Sequence, residues 1–72
     1  MDVLLTIKSG NDYFRFAGQD YAACSFAKAS VFPPDQIDTV RAHLAALKKD
    51  GIADARIVQL TITETVYPEA AP

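Results

Sequence analysis

Between Ala55 and Val66 apolar and polar residues alternate, and many are β-branched. Val58, Leu60 and Ile62 fall on one side of this stretch. Ile57, Gln59, Thr61, Thr63 and Thr65 fall on the other. Successive side chains of a strand point to opposite faces, so the pattern predicts one strand with a buried side (Val58, Leu60, Ile62) and a wet side. It directly follows an amphipathic helical pattern. That pairing points to an α+β fold.

The rest of the chain completes the order β-β-β-α-β. Val3 to Lys8 reads as a first strand, with Val3, Leu5 and Ile7 on one face. Ser9 to Asp12 carries hairpin chemistry, because Gly, Asn and Asp tolerate left-handed φ. Tyr13 to Ala17 reads as a second strand, with Phe14 and Phe16 inward and Tyr13 and Arg15 outward. Gly18 to Asp20 makes a second turn. Tyr21 to Lys28 is a third strand whose alanines lower its β propensity.

Ala29 to Pro34 connects to the helix, and Pro33-Pro34 prevents the helix from running back through it. With Pro34 as the first helical residue, Phe32 staples onto Ile37; the rival start caps the helix with Asp35. Ile37, Val40, Leu44 and Leu47 form a core-facing stripe up to about Asp50. Asp35 and Asp38 suit the positive end of the helix dipole, and Lys48 and Lys49 the negative end. Gly51 is placed to close the helix, with Ile52 folding back onto the last turn. Strand four then runs from about Ala55 to Val66.

These elements predict one helix packed on one face of a mainly antiparallel sheet of three or four strands. The covered face is expected to carry Val3, Leu5, Ile7, Phe14, Phe16, Val58, Leu60 and Ile62. A crossover from the third strand would set the fourth parallel to it; the place of the fourth strand in the sheet is left open. Residues 1–67 are expected to form a single compact domain, and 68–72 a frayed tail.

The chain has 72 residues, so its core is small. A single cysteine, Cys24, allows no internal disulfide, and no Cys/His set points to a structural metal. No cofactor is expected. A lone thiol fits a reducing compartment. The first residues lack the basic segment of a signal peptide, and no apolar run reaches the length of a membrane span. A cytoplasmic location without membrane contact is therefore expected. The net charge of −2 argues against direct binding of nucleic acid.

Catalytic chemistry is sparse. His43 is the one histidine, at the flank of the helical stripe, and no carboxylate or nucleophile pairs with it convincingly. Cys24 lies in an apolar stretch without a predictable cation to lower its pKa, so it reads as a small hydrophobe. No phosphate loop or nucleophile elbow is present. A non-enzyme is expected.

Binding is the better prospect. One helix cannot cover both faces of a sheet, so Leu4, Tyr13, Ile57 and Tyr21 are expected on a bare face among Thr6, Lys8, Arg15 and Gln59. Aromatics and arginine are common interface anchors. A solvated sheet with cross-strand pairs explains the same residues. The acidic residues read as turn, cap and surface groups, or as a negative patch formed by Asp12, Asp20, Asp35 and Asp38. The candidate partner-binding set is thus Asp12, Asp20, Asp35, Asp38, Tyr13, Arg15 and Tyr21.

Three segments carry a resemblance: Ile7 to Gly10 with Tyr13 to Phe16, Ala29 to Pro33, and Ala55 to Glu64. Together they resemble small proteins encoded by phages and prophages. The size, mild acidity and bare catalytic inventory are similar to those of anti-CRISPR proteins. The resemblance implies an inhibitor working in a bacterial host cell. It would bind a CRISPR–Cas effector subunit and occlude a nucleic-acid-binding or assembly surface. The alternative is a phage accessory or structural module that homodimerises through its open sheet face. The chain is expected to be a monomer or a weak homodimer.

Overall fold

The computed structural model describes residues 2–68. The strands are β1 (Asp2–Ser9), β2 (Asp12–Ala17), β3 (Asp20–Cys24) and β4 (Arg56–Ile62), and helix α1 spans Ile37–Lys49. The order β-β-β-α-β stands, and the four strands form one open antiparallel sheet in the order β3-β2-β1-β4. The expected tail 68–72 lies outside the described residues except for Pro68.

Two strand boundaries differ from expectation. The third strand stops at Cys24, and Phe26–Lys28 form a 3₁₀ turn in place of its second half. The fourth stops at Ile62, where its partner β1 reaches its first residue, so Thr63 to Val66 have no ladder to join.

The connector does more than link. β1 and β2 pair only at Lys8–Tyr13 and Ser9–Asp12, then separate. Ser30 to Phe32 enters the gap. Phe32 and Leu5 exchange both backbone hydrogen bonds, at 2.7 and 2.8 Å. The Ser30 N–H donates to the Phe14 carbonyl, and the Ser30 hydroxyl accepts from the Phe16 N–H at 2.9 Å. Thr6, fully buried, donates its hydroxyl to the Ser30 carbonyl at 2.7 Å. A buried backbone group without a partner is costly, and this short pass supplies partners to both separated strands.

That pass also corrects the predicted crossover. Phe32 bridges Leu5 in antiparallel sense, so the chain has already reversed before it enters the helix. After α1 it therefore re-enters parallel to the Ser30–Phe32 pass and antiparallel to β1 and β3. β4 lies on the far edge from β3.

The core lies between the sheet and α1. It comprises Leu5, Ile7, Phe14, Val40, Leu47 and Ala55, with Phe16, Tyr21, Phe32, Ile37, Leu44, Ile52 and Ile57 packed against it. Residues opposed in an antiparallel ladder share a face. Ile7 opposes Ile57, so Ile57 faces the helix, while Val58, Leu60 and Ile62 oppose Thr6, Leu4 and Asp2 on the outer face. The expected burial of β4 is thus reversed. Tyr21, expected outward, also turns to the helix side, where it packs edge-on to Phe14.

The helix ends are as the sequence suggests, with one refinement. Pro34–Gln36 form a 3₁₀ turn before Ile37. At the far end Gly51 adopts φ of +97°. Its N–H donates to the Lys48 carbonyl, and the Ile52 N–H reaches back to Leu47. This is the doubly bonded Gly closure in which the residue after the glycine packs back on the helix.

Candidate functional site

The strand periods place two kinds of side chain on the sheet face away from α1. Leu4, Val58, Leu60 and Ile62 form an apolar row across β1 and β4. Leu4, Val58 and Leu60 are half-buried among themselves and their neighbours, and Ile62 is 44% exposed. Beside this row Lys8 opposes both Arg56 and Tyr13. The Lys8 ammonium lies 5.0 Å from the centre of the Tyr13 ring. Phe26, itself 57% exposed, meets the same ring edge-on at 5.2 Å. Cation–π and edge-to-face contacts of this kind fix an exposed aromatic in one orientation. They also occupy the ring, which makes it a poor stacking platform for a free base.

The structure separates the sequence-predicted residues into groups. Tyr13 and Arg15 project from β2 on the outer face. Arg15, Asp20 and Tyr21 come together around a shallow depression of about 170 Å³, completed by Ala17 and Ala22. Asp12 and Asp20 sit at opposite ends of the β2 hairpins. Asp35 and Asp38 sit at the start of the helical segment, where Asp38 pairs loosely with Arg41 at 3.9 Å. These four aspartates occupy three separate places and make no single stripe. The outer face itself carries Lys8, Arg15 and Arg56, with Asp2 and Asp20 at its margins.

The alternation of β4 predicts its apolar row on the helix side, and the structure sets that row on the outer face. One signal of this was present: β4 has an apolar residue on both sides, Ile57 as well as Val58, Leu60 and Ile62.

His43 stacks on Phe16 with ring centres 4.1 Å apart and lies 5.7 Å from Phe32. That is packing, with aromatic rings where a catalytic base would need an orienting group. Cys24 is a half-buried free thiol opposite Tyr13, on the outer face and not in the core. Among the described residues no group of three or more His, Cys, Asp or Glu side chains is placed to hold a metal ion, and no helix is long and apolar enough to cross a membrane.

One polar contact ties the sheet to the helix end. The Tyr21 hydroxyl donates to the Asp50 carboxylate at 2.8 Å. That hydrogen bond, with some desolvation and the charge of Asp50, raises the Tyr21 pKa above its ordinary value of 10.0. The native state thus favours the neutral phenol. Its contribution is present below the unfolded pKa and is lost as pH rises through the folded one. In an NMR titration of the Tyr21 ring the midpoint is expected above 10.0 and to fall toward it in Asp50→Ala. An unchanged midpoint in that variant would show that the contact does not hold in solution.

No family model, curated protein or solved structure matches this chain.

Proposed function

We propose that this chain is a non-enzymatic binding module that docks a protein partner on the outer face of its sheet. The observation that carries the reading is the apolar row Leu4–Val58–Leu60–Ile62 on the sheet face away from α1, half-buried up to the 44% exposed Ile62 and flanked by Lys8, Tyr13 and Arg56. Contiguous apolar surface beside fixed aromatics and cations is what interface cores and their rims are made of. The chemistry it suits is an apolar protein surface bordered by acidic groups.

The resemblance to small phage inhibitors carries the proposal one step further. The partner is then a subunit of a CRISPR–Cas effector, and binding blocks its activity. The scattered aspartates favour occlusion of an assembly surface over imitation of a nucleic-acid backbone, which would need its negative charges in one line.

The test is a pull-down with purified CRISPR–Cas effector complexes, paired with phage survival under interference. Wild-type protein is expected to be retained and to protect phage. The Lys8→Glu, Tyr13→Ala double variant, which alters the rim of the apolar row, is expected to lose both properties while keeping its circular dichroism spectrum. No retention and no protection by the wild type would end the inhibitor reading. Full retention by the double variant would move the contact off this face.

A further inference from the structure

β4 closes one side of the sheet, and its outer edge makes no backbone hydrogen bond among the described residues. Which groups it offers there follows from the pass between β1 and β2. Both backbone groups of Leu5 bond Phe32, on the side away from β4. In an antiparallel ladder hydrogen-bonded and non-bonded pairs alternate, so Gln59, which opposes Leu5, also bonds away from β1. Alternation then directs the N–H and C=O groups of Ile57, Gln59 and Thr61 to the open edge.

Edge strands are usually blunted by lysine, proline, a bulge or brevity. β4 runs for seven residues, and from Arg56 to Tyr67 there is neither lysine nor proline. Beyond it the chain stays exposed, with Val66 at 93% and Tyr67 at 78%. The molecule is long for its size, with extents of 54 × 23 × 21 Å.

We infer that β4 pairs with β4 of a second copy, antiparallel, about a two-fold axis through Leu60. Residues bonding outward must meet residues bonding outward, so odd positions oppose odd ones and the axis passes through a residue. Of the central choices, an axis at Leu60 sets Arg56 opposite Glu64 of the second copy, twice. It also sets Val58 against Ile62 and Leu60 against itself. An axis at Gln59 would oppose Arg56 to Ile62, and one at Thr61 would oppose Glu64 to Val58. The Leu60 register is thus the one that pairs both charges of the segment, and opposite charges across a ladder are stabilising. Gln59 bonds Thr61 of the second copy and Ile57 bonds Thr63, which gives the start of the exposed arm a partner. The contact is isologous and closes on itself.

The result is one continuous antiparallel sheet with both helices on one side and the two apolar rows adjoining on the other. This assembly goes beyond the proposed binding function and does not rest on it.

Sedimentation at micromolar concentration is expected to give twice the chain mass of 7.8 kDa. In a Cys24→Ala background, Leu60→Cys is expected to crosslink under mild oxidation, and Ile62→Cys to crosslink far less. Arg56→Glu or Glu64→Arg alone is expected to weaken the dimer about tenfold, and the two together to restore it. A monomer throughout the micromolar range overturns the inference. So does a dimer in which Ile62→Cys crosslinks as readily as Leu60→Cys, or one that ignores both charge reversals. A monomer that still captures its partner overturns this inference alone and leaves the proposed function standing.

Discussion

Leu47→Ala is expected to remove about 2–5 kcal/mol of folding stability. Leu47 is fully buried at the last turn of α1, among the residues that join helix and sheet. Truncation loses the transfer energy of the side chain and leaves a cavity that a close-packed interior fills poorly. A domain of 72 residues has a total stability of about 4–11 kcal/mol, so the loss is a large share of it. Urea denaturation followed by circular dichroism is the measurement. Leu47→Met, which keeps the volume, is expected to cost under about 1.5 kcal/mol. A loss below about 1 kcal/mol for the alanine variant would mean that the helix does not seat on the sheet as described.

Ser30→Ala is expected to cost about 1–3 kcal/mol, a large effect for one half-buried hydroxyl. The Ser30 hydroxyl is the partner of the Phe16 N–H, and its backbone serves Phe14 and Thr6. Removing it leaves a strand N–H unpaired beside the core, and an unmade bond costs more than a made one contributes. Thr6→Val removes another bond of the same network. The two losses should therefore not add, and a double-mutant cycle should show a coupling of about 0.5 kcal/mol or more. Hydrogen exchange gives a local readout: the Phe16 amide should exchange faster in Ser30→Ala. Unchanged protection at Phe16 would show that the connector does not enter the gap between β1 and β2.

The outer face was legible in part. The period of β2 puts Tyr13 and Arg15 there, and the pairing of Lys8 with Tyr13 next to a tight turn fixes that side in the structure. The same reasoning predicts Tyr21 and Ile57 on that face, and both lie on the other. Tyr21 sits in a short strand whose two sides differ little in hydropathy, so a shift of one residue, which exchanges the faces of a whole strand, meets little opposition there. Ile57 sits in a strand with one clearly more apolar side, Val58, Leu60 and Ile62, and the pairing of Ile57 with the core residue Ile7 turns that side away from the helix against its period. The Ser30–Phe32 pass left no periodic signal at all. Its three residues are held by contacts to Leu5, Thr6, Phe14 and Phe16, each far away in the chain.

The sequence by itself determined what depends on neighbours along the chain. Hairpin turns at Gly10 and Gly18, the apolar stripe of α1 and its closure at Gly51 are set by local backbone preference and by period, and these need no distant partner. Only the tertiary structure decided which side of β4 meets the helix, where β4 lies, and what fills the space between β1 and β2. Those are choices among long-range pairings of similar local energy. They were settled by burying Ile7 against Ile57 beneath Val40 and Leu47, and by giving the separated backbone groups of Leu5, Phe14 and Phe16 partners on Ser30 and Phe32.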